Sequence, residues 1–442
     1  MQVIRAVAVI AMTAAVASAQ PASPPPAAPP APSDPAETPT ADDYRDVFAD
    51  HRASAPEATA RPTVPPDESL TGSGRLGVYH DSDGTTIERS FATMSRGWGE
   101  WSVTASAAVD AITSASVDVR SSPALSKLDI VTVEEGSTTD SGVQLTDTRY
   151  VAAGGARWHD IDGHAVTMTG TVSTESDYTS AGVGVLGSLD LDERDLTLFG
   201  GTTVTDNWVG SVVDPTVARK LLELGWTAGA ARVLSASDMV RVRYDGKFSD
   251  GFQGSPYRTV RFGDWTTSTA TSGQYVFANT IGSADGLPEK LPSLRLESAV
   301  TGEWVHALAQ GIALHTAVRV SHDTWDVSSV APSEELRFAF DGWRMQLGYR
   351  FYLQGRASFF EDKYTMDPEM YEHYTSDKQL GREVGHTAMF DVAVTVVEAE
   401  TPRDSRMVLF LHADGFHFAY PDYELLPSRY GAFGELGLSW EH

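Results

Sequence analysis

Residues Trp101 to Asp110 read WSVTASAAVD. In an extended chain Trp101, Val103, Ala105, Ala107 and Val109 share one face, and Ser102, Thr104, Ser106, Ala108 and Asp110 share the other. This is the period-two alternation of a strand with one apolar and one mostly polar side. The stretch then runs on through AITSASVDVRSSP to Pro123, a Ser-rich segment carrying a second aspartate, Asp118. A wall that is apolar outside, holds a carboxylate inside and opens into a polar loop is what a transmembrane barrel strand requires.

Composition narrows the alternatives. The 442 residues hold 33 Lys and Arg against 60 Asp and Glu, a net charge of −27. Such a chain is repelled by a phosphate backbone, which argues against nucleic acid as a partner. There is no cysteine, so disulfides, Cys-ligated metals and a lipidated cysteine are excluded. Residues 1–19 combine a basic start, an apolar run from Ala6 to Val16 and the small-residue site Ala17-Ser18-Ala19, the pattern of a secretory signal peptide. Residues 20–71, rich in Pro and Ala as in PASPPPAAPPAPSDPAETPT, are expected to be a mostly disordered linker with polyproline II character. One short amphipathic stretch interrupts them, Thr40 to His51. Past the signal no run reaches the roughly twenty apolar residues of a membrane helix, so membrane entry would have to be by strands.

From Gly72 to His442 about sixteen alternating segments are separated by turn residues. The first is expected at Arg75 to His80, and later ones at Trp325 to Phe340 and Trp343 to Phe360. Connections such as Arg96-Gly97, Asp160 to Gly163 and Asp341-Gly342 are short and all fall on one rim. The long ones, Thr113 to Gly142, Trp208 to Ala218, Gly251 to Pro292, Glu361 to Glu383 and Tyr420 to Arg429, fall on the other. Trp98, Trp101, Trp158, Trp304, Trp343 and Trp440, six of the ten tryptophans, cluster near the short-turn rim like an interfacial girdle. The last strand ends in Trp440, two residues before the end of the chain. The expected fold is therefore all-β, an antiparallel transmembrane β-barrel of about sixteen strands behind a disordered Pro-rich arm, with both termini periplasmic in a bacterial outer membrane.

Four stretches resemble an uncharacterised bacterial family, the domain of unknown function 3570. They are AVDAITSASVDV, GYRFYLQGRASFFED (Gly348 to Asp362), TSDKQL (Thr375 to Leu380) and the loop Pro256-Tyr257-Arg258. The resemblance implies an outer-membrane-type barrel of unestablished activity, sometimes associated with extracytoplasmic redox genes. Its motif residues here are Asp110, Ser114, Ala115, Ser116, Asp118, Asp377 and Lys378.

Alternation turns Arg241, Arg243, Arg295, Arg319, Arg337, Arg344 and Arg350 toward the lumen, with Glu297, Glu303, Asp391 and Asp414 also inward. A basic wall opposed by acidic groups would set a transverse field in a water-filled pore; paired networks filling the lumen would not. Met366, Met370 and His373 offer soft donors in one loop, and HDIDGH and HADGFHF pair histidines. His322, Asp323 and Asp326 are an acid/base candidate, without any G-x-S-x-G, Walker or H-E-x-x-H pattern. The expected function is passage or binding of a small polar or anionic solute. The alternatives are a plugged barrel serving as a structural or docking component, its partner a periplasmic protein or the cell wall met through the arm, and a surface enzyme. No cofactor is expected, and outer-membrane lipid is the expected surrounding.

Overall fold

The structure, a computed structural model, describes residues 68–114, 145–211, 214–267, 275–280, 286–397, 405–424 and 426–442. The expected signal peptide, nearly all of the linker, and the motif residues Ala115, Ser116 and Asp118 lie outside the described residues.

Strands β1 (Glu68–Asp81), β2 (Thr85–Trp98), β3 (Trp101–Ser114), β4 (Leu145–His159), β5 (Ala165–Thr174), β6 (Tyr178–Leu191), β7 (Leu196–Val209), β8 (Arg219–Val233) and β9 (Asp238–Gly251) follow one another around a wall. An insertion then carries four short strands, β10 (Thr259–Val260), β11 (Gly263–Thr267), β12 (Tyr275–Thr280) and β13 (Leu287–Pro288), pairing as β10–β13 and β11–β12. The wall resumes with β14 (Leu294–Ala309), β15 (Ile312–Asp323), β16 (Ser328–Phe340), β17 (Trp343–Gln354), β18 (Glu383–Val397), β19 (Arg406–Ala419) and β20 (Ser428–Glu441). Sixteen strands close on themselves, all antiparallel, with β1 joined to β20 from Thr71↔Glu441 to Asp81↔Gly431. Closure leaves the wall no edge strand, so its backbone groups are paired without water.

The faces follow the alternation. On β17, Leu347, Tyr349 and Leu353 are exposed while Tyr352 and Gln354 are buried. On β3, Trp101 and Val103 are exposed while Ala108 and Asp110 are buried. Outward apolar exposure on strand after strand marks the hydrocarbon face. A strand of 14 residues at about 3.3 Å per residue, tilted by about 40°, spans roughly 35 Å along the barrel axis, about 10 Å more than the apolar band needs. The excess carries the wall past the membrane surface.

The short-turn rim carries the tryptophans. Trp98, Trp101 and Trp158 stand side by side across three strands. The indole N–H of Trp158 donates to Glu100 at 2.9 Å and that of Trp304 to Asp238 at 3.1 Å, apolar body outward and polar edge toward the rim, as an interface favours. Asp341-Gly342 turns the chain between β16 and β17 with Gly342 at φ 76°, a conformation that favours glycine.

Three strand boundaries differ from the sequence pattern. β1 starts at Glu68, seven residues before the expected Arg75, although Gly72-Ser73-Gly74 looks like a turn. Gly72 is in the wall because the ring of Trp440 occupies the space a Cβ would take, 2.4 Å from its position. Trp325 belongs to a turn and not to β16, since Asp323 Oδ1 accepts from the N–H groups of Trp325 and Val327 at 2.8 and 2.9 Å. β17 stops at Gln354 instead of Phe360 because the chain there leaves the wall and packs inward.

The register also sets how much a lipid-facing charge should cost. Val318 lies mid-strand opposite Gly302 and Pro332, whereas Val394 lies opposite Trp343 beside the short-turn rim. Val318→Arg is expected to destabilise the barrel by about 2–4 kcal/mol and Val394→Arg by about 0–1 kcal/mol. Thr395→Arg, on the lumen face, should be tolerated. Urea titration of folded and unfolded bands in lipid checks the ranking; equal cost at Val318 and Thr395 would contradict the face assignment.

Candidate functional site

Inward charges line the wall along β8 and β9, along β14 to β20 and along β1 to β4, and most of them are paired. On adjacent strands Arg89 donates to both oxygens of Asp110, at 2.5 and 2.7 Å, with both side chains buried. The aspartate of the opening stretch is therefore half of a bidentate pair inside the wall. Arg241 donates to Glu303 at 2.7 Å, Arg337 to Glu335 at 2.6 Å, and Arg295 Nε to Asp323 at 2.8 Å. Arg243 and Arg319 share Asp245, at 3.0 and 2.8 Å. Five of the seven arginines singled out in the sequence thus have carboxylate partners. Arg350 lies over the ring of Tyr352, 5.5 Å from its centre, and Arg344 is exposed on the lumen side of β17 near the short-turn rim.

The inward acids fall into the same pattern. Lys247 stands 3.0 Å from Glu297 and 3.7 Å from Glu223. His412 bridges Asp391 at 2.8 Å and Asp414 at 2.9 Å, and His315 lies 3.4 Å from both Glu303 and Glu335. Asp245, Lys247, Glu223 and Glu335 were missed by sequence reasoning, yet RVRYDGK places Arg241, Arg243, Asp245 and Lys247 at one parity, and that parity was the available signal.

At the long-loop rim the connections fold into a cap. The β17–β18 connection sends Ala357, Phe360 and Leu380 into an apolar cluster with Tyr79 of β1, Phe416 and Phe418 of β19, Phe433 of β20 and the rim residues Trp325, Tyr420 and Tyr423. A second cluster joins Val260 and Phe262 of the β9–β14 insertion to Tyr364 and Tyr374. Ion pairs tie these loops to others. Arg258 reaches Asp377 at 2.7 Å and Glu289 at 3.4 Å. Buried Lys378 lies 3.8 Å from Asp83 in the β1–β2 turn, and the hydroxyl of Tyr257 donates to Asp177 in the β5–β6 turn. These four connections lie four strands apart around sixteen, so contacts among them draw the loops across the mouth. Sequence periodicity gave no sign of the cap because loops have none. Three motif stretches do meet in it: Pro256-Tyr257-Arg258, the end of GYRFYLQGRASFFED, and TSDKQL with Asp377 and Lys378. Of the other motif residues, Asp110 sits in the wall and Ser114 ends β3.

At the edge of the cap Asp147, Glu175 and Asp177 bring carboxylate oxygens within 4.8 Å of one another, and at a short turn carboxylate oxygens of Asp160 and Asp162 and a ring nitrogen of His164 do the same. In the second group Asp160 accepts from the N–H groups of Asp162 and His164 at 3.0 and 2.8 Å, which is turn geometry. Neither group includes His373, whose ring lies 6.0 Å from that of Phe359, while Met366 and Met370 are exposed. His322 faces outward, with Nδ1 2.9 Å from Ser328 Oγ, and Asp323 is occupied by Arg295 and the turn. The acid/base candidate is thus split between two faces of the wall.

Burial pushes the Glu175 carboxyl up to about 7, against the pull of Arg149 and with Asp147 and Asp177 adding to the rise. Burial likewise raises Asp177 to about 6, against its bond from Tyr257.

Fold and lumen define a sixteen-strand transmembrane β-barrel of the outer-membrane type with a charged, paired interior and a folded cap. Residues 213–400 match the model of the family described as "Protein of unknown function (DUF3570)", the family the sequence motifs resemble. Three of the four motif stretches lie within that match, and AVDAITSASVDV lies before it. No curated relative matches the chain. Among solved structures it is similar to a bacterial polysaccharide outer membrane secretin (9% identity, 84% of this chain and 97% of that one, TM-score 0.44). It is also similar to the CymD monoaromatic hydrocarbon channel (8%, 85% and 88%, TM-score 0.36) and to the outer membrane protein OprD from Pseudomonas aeruginosa (6%, 86% and 95%, TM-score 0.35). Likeness of this size says nothing about solute or mechanism.

Two outcomes follow from the pairings. Asp110→Asn removes the carboxylate to which buried Arg89 donates two bonds and is expected to cost about 3–5 kcal/mol, read as a lower urea midpoint in lipid. The Glu175 and Asp177 carboxyls have folded values, about 7 and about 6, above the ordinary range near 4. Their contribution is favourable below that range and is lost as pH rises through 6 and 7. Protease access to the cap should therefore increase from pH 5 to pH 8, and Glu175→Gln should flatten the change; an unaltered pH profile in that variant would refute the assignment.

Proposed function

We propose that this chain is an outer-membrane barrel that binds and passes a small polar or charged solute, with the short-turn rim and both termini facing the periplasm and the cap limiting access from outside. The observation that carries this reading is the series of inward ion pairs along most of the wall, such as Arg89–Asp110, Arg241–Glu303 and Arg337–Glu335. An apolar fill would seal a lumen more cheaply than buried ion pairs, since replacing such pairs by packed hydrophobic groups is often neutral or stabilising. Charges retained along a barrel interior instead supply polar partners for something that passes or rests there.

The cap also favours a second reading, a plugged barrel whose loops and Pro-rich arm dock other envelope components. Its apolar clusters bury Phe262, Phe360, Tyr364 and Tyr420 almost completely, which is more than a loosely gated mouth needs.

Planar-bilayer recording separates the two. The pore reading expects small discrete steps from the wild-type protein and several-fold greater open-channel conductance once Arg258→Ala and Asp377→Ala unfasten the cap. Selectivity should shift toward cations when Arg344 and Arg350 are both changed to Glu. Silence from the wild-type and the unfastened variant alike would leave the docking reading.

A further inference from the structure

The interior is not filled evenly. On β15, Val318 faces lipid and is 42% exposed, while its inward neighbour Ala317 is 7% exposed, so other side chains pack against the inside of the wall there. On β6 both faces are open: outward Val185 is 45% exposed and inward Leu186 44%. The register makes Leu186 inward, since it stands in one cross-strand row with Gly201, Thr227 and Asp245. Thr169 and Thr171 on β5 and Thr203 on β7 are likewise inward and exposed. A wall strand open on both faces has lipid on one side and free lumen on the other. The unfilled part of the interior therefore runs along β5, β6 and β7.

This open face also has its own chemistry. The inward positions from Thr167 to Ser173 on β5, Ser180 to Ser188 on β6 and Phe199 to Asn207 on β7 hold no charged residue. Threonine and glycine alternate across it: Thr169, Gly184, Thr203 and Gly225 form one row, and Thr171, Gly182 and Thr205 the next. The Oγ1 atoms of Thr171 and Thr205 flank the bare backbone of Gly182, each 3.0 Å from the point where a Cβ would lie. Glycine within a strand lets a ligand approach the backbone closely. The hydroxyls of Thr169, Thr171, Thr203 and Thr205 have no hydrogen-bond partner among the described residues, whereas Thr227, at the border with the charged wall, donates to Asp245 at 2.9 Å. Each unengaged hydroxyl offers one donor and two acceptor sites to the lumen.

Such a face suits one kind of solute. An ion moving along it gives up hydration without meeting a counter-charge, whereas a neutral molecule bearing hydroxyls exchanges its bonds to water for equivalent bonds to threonine. We propose that the β5–β7 face is the track along which the barrel passes its solute, and that this solute is uncharged and polyhydroxylated, of the sugar class. The paired charges elsewhere pack their own side of the interior and confine the passage to this one. The mouth of the track lies beneath the Tyr257–Asp177 contact of the cap, Asp177 being the residue before β6. The inference rests on the pore reading above and gives it a path and a solute class.

The chain has no cysteine, so a single introduced thiol reports access without background. Thr203→Cys, and Ala317→Cys as its packed counterpart, are reconstituted at full length in liposomes and treated with a biotin-bearing, membrane-impermeant methanethiosulfonate. Thr203→Cys is expected to label several-fold faster than Ala317→Cys, and its labelling to cut uptake of radiolabelled glucose several-fold. Unlabelled protein should take up glucose faster than gluconate or glucosamine, its anionic and cationic counterparts. Heat-modifiable gel migration confirms a folded barrel, and if Thr203→Cys does not fold, Thr171→Cys probes the same face. Slow labelling at position 203, labelling that leaves glucose uptake unchanged, or faster uptake of either charged sugar overturns this inference alone. Uptake of none of the three, by the wild-type protein and by the Arg258→Ala, Asp377→Ala barrel alike, overturns the pore reading and this inference with it.

Discussion

The constraint on which the structure depends is that backbone N–H and C=O groups inside hydrocarbon have no water to turn to. β1 and β20 meet this by pairing over eleven residues, from Thr71↔Glu441 to Asp81↔Gly431, which turns an open sheet into a cylinder. Once closed, the cylinder assigns every side chain by parity. Outward positions face lipid and become Leu, Val, Ala and rim Trp; inward positions crowd against one another and many are buried, so charged residues there find counter-charges across neighbouring strands. The Arg89–Asp110, Arg241–Glu303 and Arg337–Glu335 pairs are local consequences of closure.

Pairing of this kind is close to neutral in free energy, since desolvation offsets most of the attraction. Its effect on the lumen is to fix where charge sits. A wall of balanced pairs presents alternating donors and acceptors with little net field. Some groups serve two partners at once, as Lys247 does between Glu223 and Glu297 and Asp245 between Arg243 and Arg319. The sequence left a basic wall and paired networks as alternatives, because parity reveals which residues point inward but not which residue on the next strand they meet.

That difference sets what was legible from sequence. The fold could be read from alternation in stretches such as WRMQLGYRFYL, from the sorting of short and long connections, and from Trp98, Trp101 and Trp158 gathering on one rim. Strand ends were less legible where packing overrode a local signal. Gly72 resembles a turn residue and is a strand residue because Trp440 covers it, while Trp325 resembles a strand residue and is held in a turn by Asp323. The cap was invisible: Phe360 and Leu380 meet Tyr79 and Phe433 only because loops distant in sequence are brought together over the mouth. The short motifs located the cap's parts without revealing their assembly, and Arg258 and Asp377 are a pair only in three dimensions.

The stretch that matches the family model, residues 213–400, has a physical unity that its position in the chain does not suggest. It contains the β9–β14 and β17–β18 connections, whose Arg258 and Asp377 pair across the mouth, and the inward charges of β9, β14 and β15. The wall before it, from β1 to β7, contributes Asp83 and Asp177 as anchors for the cap. A cylinder can be closed by many sequences that alternate correctly, so closure alone imposes little on residue identity. Fastening four loops across a mouth imposes a great deal, because each ion pair there needs a particular residue on each of two distant segments. The matched stretch supplies at least one partner of each of these contacts, Arg258 with Asp377, Lys378 with Asp83 and Tyr257 with Asp177, so the most exacting part of the cap falls within it.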